Sequence, residues 1–341
     1  MPHESERAPE RILLTGYKGF VGPHLVAACV ERYPAARLFG LTHHASQRAL
    51  MSAVTTADVM ELEGDITDGA RLREILAEAR PDLIFHLAAV SSVAHSWRDP
   101  ATTLSVNAGG FIQLAEAVRA EGLSPRVVVI GSGEQYGLVR PDENPVTEET
   151  LPRPVNPYAV AKVAQDLYAF QYFKAYGLDA VRARPFNHFG PGQSPDFVLA
   201  SFARQIAQIE AGQSAPTLRV GNLQAQRDFL PVGDVTRAYL ALAEQGQAGE
   251  AYNIGSGVVR SIESMLLRLL AMARVSIETQ VDPARFRPVD TLMISVDTAK
   301  IQRDTGWRPA ESLDDALRAT LDYWRASVHA AEREGHHSQT V

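Results

Sequence analysis

The chain has 341 residues, 45% of them hydrophobic, and a formal net charge of −7. That length suits one large α/β domain or two joined ones with a sizeable core, and the acidic balance argues against a nucleic-acid partner. Cys29 is the only cysteine, which excludes an intrachain disulfide and a cysteine-ligated metal site. It falls in an apolar helical run and reads as a buried packing thiol. MPHESERAPE lacks the apolar core of a signal peptide, and no stretch is long enough to span a bilayer. The expectation is therefore a cytoplasmic protein with no membrane partner and no metal.

RILLT reads as a buried strand, followed by helical spacing of apolar residues from Gly19 to Arg32. RLFGLT is a second strand, and strand-like runs follow at VMELEG, DLIFHLAAV and RVVVIGSG with helical patterns between them. A helix begins near Asn156, and LDAVRARPF is the sixth strand. Continuous apolar strands alternating with helices predict a doubly wound parallel α/β sheet. Beyond it, helices near Val198–Ala211, Asp234–Glu244 and Ile262–Ala273 alternate with short strands such as TLRVG and AYNIG, and a last amphipathic helix spans Ser312 to Ala326. The expected organisation is a polar tail over 1–10, a dinucleotide-binding (Rossmann) domain over 11–180, a smaller α/β substrate domain over 181–327 with some elements returning to the main sheet, and a second tail over 328–341.

Three motifs carry chemistry. Thr15-Gly16-Tyr17-Lys18-Gly19-Phe20-Val21-Gly22 lies between the first strand and its helix. Glycines there permit a tight turn and close approach of a pyrophosphate, and the helix N-terminus offers unpaired N–H groups to the anion. Tyr158 and Lys162, four apart in NPYAVAK, share one helix face. A neighbouring ammonium lowers a phenol's pKa, so the pair suits proton exchange with a carbonyl or carbinol oxygen. Ser132 and Glu134, in IGSGEQYG at the carboxyl end of a central strand, offer a hydrogen bond to a developing oxyanion and a second acid/base.

In this order the three motifs, with HLAAVSSV, VGDVTRAYLAL and YNIGSG, resemble the extended short-chain dehydrogenase/reductases over nearly the whole chain. The resemblance implies that Ser132, Tyr158 and Lys162 form the catalytic triad, with Tyr158 passing the proton and Lys162 tuning it and holding the nicotinamide ribose. It implies cofactor contacts from Gly16, Gly19, Phe20, Val21 and Gly22, from Asp65 and Ile66 near the adenine, and from Leu87, Ala88, Ala89, Asn107 and Pro185. NAD-preferring relatives carry an acid at the end of the second strand. GLTHHASQR has none, and Thr42, His43 and Arg48 suit a 2′-phosphate, so NADP(H) is favoured and NAD(H) is the alternative.

RPFNHFGPGQ, LRVGNLQAQRDF and FRPVD resemble the GDP-mannose 4,6-dehydratases and, more closely, the GDP-4-keto-6-deoxy-D-mannose reductases. The dehydratases usually carry G-x-x-G-Q-D-G and a Pro-Arg-Arg run where this chain has GYKGFVG and GPGQSPDF. The resemblance implies a GDP-sugar substrate, reduction of its C4 ketone, and substrate contacts from Ser91, Ser92, Asn187, Gln193, Phe197, Val198, Arg219, Arg227 and Arg287. Arginine is well shaped for the diphosphate; His188 is either a site residue or a satisfied loop histidine. Glu134 is compatible with dehydration as well as reduction, so a dehydratase or an epimerase of another sugar nucleotide stands as the alternative. A dinucleotide sensor on the same fold would have no need of the triad. Relatives often dimerise through a four-helix bundle, here the helix near Gly109–Glu121 and the one carrying Tyr158.

Overall fold

The computed structural model describes residues 8–43, 55, 57–285 and 293–337. Seven parallel strands form the main sheet: β1 (Arg11–Thr15), β2 (Arg37–Thr42), β3 (Met60–Glu63), β4 (Leu83–His86), β5 (Arg126–Ile130), β6 (Ala180–Pro185) and β10 (Ala251–Ile254), in the order β10-β6-β5-β4-β1-β2-β3. The reversal between β1 and β4 creates the crevice where such sheets bind ligands. Outside this sheet, β7 (Asn187–Phe189), β9 (Gln226–Pro231) and β11 (Val259–Ser261) pair together, as do β8 (Thr217–Val220) and β12 (Glu278–Val281).

The helices are α1 (Val21–Arg32), α2 (Gly69–Ala79), α3 (Val93–Arg98), α4 (Pro100–Leu104), α5 (Gly110–Ala120), α6 (Pro157–Tyr176), α7 (Val198–Glu210), α8 (Val232–Gln245), α9 (Ile262–Ala271), α10 (Ala299–Thr305) and α11 (Leu313–His337). Alternate strand residues enter opposite cores. Ile12, Leu14 and Val128 pack with α1 and α8, while Leu13, Val127 and Val129 pack with α2 and α5. Both faces of the sheet are covered, which is why its strands read as unbroken apolar runs. A third core joins Phe189, Phe202, Ile206, Leu218, Leu269 and Leu317 beside the second half of the chain. Cys29 is fully buried, and burial pushes its thiol up to about 12.

The expected elements appear with ends shifted by a few residues. AYNIG does return to the main sheet, as β10 beside β6. The final helix does not stop at Ala326: α11 runs to His337 and Val328 is buried, because VHAAERE contains no helix breaker. Between α4 and α5 the chain makes a π-helical turn, Ser105–Gly109, that periodicity does not reveal. Among the described residues no helix is long and apolar enough to cross a membrane.

One buried ion cluster ties α6 to the sheet. Asp166 accepts from Arg182 at 2.6 Å and from both Nε and Nη2 of Arg184, at 3.0 and 2.9 Å. The two guanidiniums hold its carboxyl below the ordinary range against the opposing effect of burial. Asp166→Ala strands two cations in a dry site, so the variant is expected to lose about 3–5 kcal/mol of unfolding free energy in urea titrations. A loss under about 1 kcal/mol would show the cluster to be dispensable.

Candidate active site

The carboxyl edge of the sheet assembles the motif residues. β1 ends at Thr15 and turns through Gly16, whose positive φ of 68° suits glycine. A Cβ there would lie 2.8 Å from the backbone of Ala88, so the loops after β1 and β4 touch backbone to backbone. Thr15 Oγ1 accepts from Ala88 N–H and bonds His86 Nδ1 at 3.0 Å. His86 is fully buried; desolvation, and then the charge of Lys162, lower its pKa to about 3, so it stays neutral.

The start of α1 has neither a side-chain cap nor an acid in its first turn. By contrast Asp68, Ser92, Asn156 and Ser261 cap α2, α3, α6 and α9. The open amides and the glycine turn fit the pyrophosphate of a dinucleotide. Leu87 and Ala88 line up against β1, since Leu87 N–H donates to Thr15 O. Thr42, at the end of β2, is buried. The Asp65 carboxylate is engaged by Thr67 and by His43 at 3.1 Å, which together hold its pKa below the ordinary value. Ile66 is buried and packs on Gly110. Arg48 and Arg287 lie outside the described residues.

Ser132 follows β5; its Oγ accepts from Glu134 N–H at 3.1 Å, and the same hydroxyl favours the Tyr158 phenolate. Tyr158 sits in the first turn of α6, which Asn156 opens by accepting from Ala159 N–H, with Pro157 at the first helical position. The other end of the Asn156 amide donates to Glu134 at 3.3 Å. Burial raises the Tyr158 phenol to about 12; the Ser132 bond opposes this and the Glu134 charge adds to it.

Lys162 departs from expectation. It does not lower the Tyr158 pKa: its Nζ donates to Ile130 O at 2.7 Å and to Gln165 Oε1 at 2.9 Å, and desolvation lowers its own pKa to about 7. Asn107 departs too. Both ends of its amide are spent on Val90, at 2.8 and 3.1 Å, so it shapes the loop after β4 instead of facing outward.

A cavity of about 420 Å³ opens at this edge; its lining includes Glu134 and Asn156, each two positions from a pair member, but not Ser132 or Tyr158 themselves. Ser92, Trp97, Asn187, Phe197 and Val198 line it as well. Asn222, Arg227 and Arg285 lie along the remainder. Arg285 donates to Ser201 Oγ at 3.3 Å and stands 3.5 Å from Asp282. The α7 N-terminus at Phe197 and Val198 also lacks a side-chain cap and first-turn acids. Ser91 lies in an adjoining hollow with His95, Arg98 and Asp196. The buried Gln193 donates to His188 O and braces the loop from behind.

Arg219 does not reach the cavity wall. Its neighbours Leu218 and Val220 enter the core, so the alternation of β8 turns Arg219 to solvent. Trp97 and Arg285 lie outside every motif of the sequence, whereas Asn222 lies within LRVGNLQAQRDF without having been singled out. Asn156 carried a readable signal, an N-cap residue just before proline.

Comparison with known proteins identifies the family. The model of the GDP-mannose 4,6 dehydratase family matches residues 13–320. The chain is 37% identical to the GDP-6-deoxy-D-mannose reductase of Pseudomonas aeruginosa, over 94% of this chain and 98% of that one. A solved structure of RMD from Pseudomonas aeruginosa complexed with NADPH superposes with a TM-score of 0.80 at 35% identity, covering 93% of this chain and 99% of that one. UDP-glucose 4-epimerase from Thermotoga maritima, solved with UDP-glucose, gives 0.83 at 28% identity, covering 93% and 99%. The chain belongs to the GDP-mannose 4,6 dehydratase family of the extended short-chain dehydrogenase/reductases.

Proposed function

We propose that this enzyme reduces the C4 ketone of GDP-4-keto-6-deoxy-D-mannose with NADPH, giving GDP-D-rhamnose or its C4 epimer GDP-6-deoxy-D-talose. The observation that carries the proposal is the placement of Tyr158 with Ser132 at the sheet edge, next along the chain to a cavity edged by Arg227, Arg285 and an uncapped helix N-terminus. The similarity to a GDP-6-deoxy-D-mannose reductase, and to a structure complexed with NADPH, supports it.

Bound NADPH supplies a hydride to C4. Tyr158, which keeps its proton through the neutral range, delivers it to the carbonyl oxygen as negative charge grows there. Ser132 shares a hydrogen bond with that hydroxyl and steadies the same oxygen. Lys162 holds the nicotinamide ribose, and the glycine turn with the α1 amides holds the pyrophosphate. The absence of a carboxylate on β2, which ends at Thr42 and is followed by His43, favours the 2′-phosphate of NADPH. Arg227, Arg285, Asn187 and the start of α7 receive the sugar diphosphate.

A second reading, GDP-mannose 4,6-dehydratase, rests on Glu134, whose carboxylate lines the cavity and is held by Asn156. The two separate in one assay. With the keto sugar, NADPH absorbance is expected to fall, and GDP-mannose alone is expected to remain unchanged by NMR. Conversion of GDP-mannose to the keto sugar without net cofactor use would replace the reductase with the dehydratase. In the same assay Tyr158→Phe is expected to lower kcat by a factor on the order of 10²–10⁴, with NADPH affinity retained.

Arg285→Ala is expected to raise the KM for the sugar nucleotide roughly tenfold or more while leaving that for NADPH unchanged. Equal KM values would remove Arg285 from the site.

We also propose a homodimer through α6. That helix buries one side on the sheet yet leaves Val160, Leu167 and Tyr168 exposed, and Leu104 on α4 is exposed too. Leu167→Glu is expected to convert a dimer into a monomer in light scattering. A wild-type monomer at micromolar concentration would refute the assembly.

A further inference from the structure

The cofactor turn and the substrate loop meet in a small aromatic joint that the mechanism above does not use. Phe20 stands at the entry to α1, where the open amides begin. Its ring lies nearly parallel to that of His188, with centroids 5.9 Å apart and planes within 9°. On its other side His24, one turn into α1, meets it edge-on at 5.8 Å. His24 Nε2–H donates to Pro191 O at 2.9 Å. Across the joint, His188 Nδ1–H donates to Phe186 O at 2.9 Å, and His188 O accepts from Gln193 at 2.8 Å. Gly190 closes the contact: a Cβ there would press on Val232 and reach within 3.7 Å of the Phe20 ring.

The segment on the far side of this joint matters for the cavity. Asn187, Pro195, Asp196 and Phe197 all line it. Its start is tied to β9 by strand pairing from Asn187 to Phe189. From there to the start of α7, the joint's rings and carbonyl bonds are its link to the dinucleotide turn. We infer that Phe20, His24 and His188 are positioning residues that couple dinucleotide occupancy of the α1 turn to the conformation of segment 187–197.

The physical argument is short. The first amides of α1 receive no side-chain cap, so an anion seated there adds a constraint to the backbone at Phe20. Phosphates seated on those amides fix the backbone of Phe20 and with it the direction of its ring. A stacked pair keeps its attraction only in a narrow range of offsets, so fixing one ring restricts the other. His188 in turn fixes Asn187 beside it and, through Gln193, the loop beyond. The cofactor thereby pre-orders the wall that receives the second ligand, which is positive cooperativity carried by ordering.

The inference rests on the dinucleotide reading of the turn, and amide hydrogen exchange read by mass spectrometry tests the two separately. The full-length protein is compared with and without saturating NADPH, whose dissociation constant is measured alongside. In the wild type, NADPH is expected to slow exchange across 187–197 at least about fivefold. In His188→Ala, NADPH is expected to bind saturably while that slowing falls below about twofold, and His188→Phe, which keeps a ring to stack, restores it. His24→Leu breaks the bond to Pro191 and the edge contact to Phe20 while leaving both rings of the Phe20–His188 stack in place, and is expected to reduce the slowing in part, which covers the case of a His188→Ala protein that does not fold. Saturable NADPH binding with no slowing in the wild type, or with equal slowing in the variants, would overturn the coupling alone. Failure of the wild type to bind NADPH would overturn the dinucleotide reading and the coupling with it.

Discussion

The first amides of an α-helix have no carbonyl to receive them, and a fold must either cap those ends or leave them as positive sites. Here α2, α3, α6 and α9 are capped by Asp68, Ser92, Asn156 and Ser261, whereas α1 and α7 begin without cap or acid. One opens at the turn after β1 and the other into the cavity. The helices α5 and α10 also start without a side-chain cap or acid, so what distinguishes α1 and α7 is their place at the glycine turn and at the cavity. The chain's net charge of −7 makes the same point, since attraction for phosphate is local and built from oriented amides and a few arginines.

The capped helix α6 carries the opposite burden. Its cap, Asn156, also holds Glu134, so the residue that starts the helix fixes both the tyrosine two positions on and the carboxylate across from it. Further along, Lys162 and Asp166 are buried in quite different ways. Asp166 is neutralised by two arginines and keeps its charge, whereas Lys162 has only a carbonyl and an amide oxygen, and its pKa falls to about 7. The same desolvation that raises Tyr158 lowers Lys162. Placing both near one sheet edge leaves a protonated phenol beside an ammonium that gives up its charge readily.

Much of this was legible in the sequence because burial writes itself as periodicity. The strands of the main sheet are covered on both faces and read as apolar runs, and GYKGFVG stands between the first of them and its helix. Tyr158 and Lys162 could be paired because four residues make one helical turn. What helical spacing cannot say is where a side chain ends: Lys162 reaches Ile130, on another element, not Tyr158. Arg219 carried a motif, but strand alternation turned it to solvent, while Arg285, with no motif, lines the cavity. The cavity wall draws from segments as distant as Ser92 and Arg285, and such convergence leaves no local trace. The Phe20–His188 stack is hidden for the same reason, since its partners are separated by most of the main sheet.

The choice between reduction and elimination turns on the state in which Tyr158 waits. A dehydratase must first oxidise the sugar at C4, which requires Tyr158 to take a proton, and a phenol pushed up to about 12 resists that role. A reductase needs the proton already in place. Glu134 bears on the same balance: its negative charge adds to the forces keeping Tyr158 protonated. For elimination that one carboxylate would also have to take the C5 proton and return it to the departing hydroxyl. Burial and the Glu134 charge both oppose loss of the Tyr158 proton in the ligand-free site, which accords with the proposed delivery of that proton to a ketone.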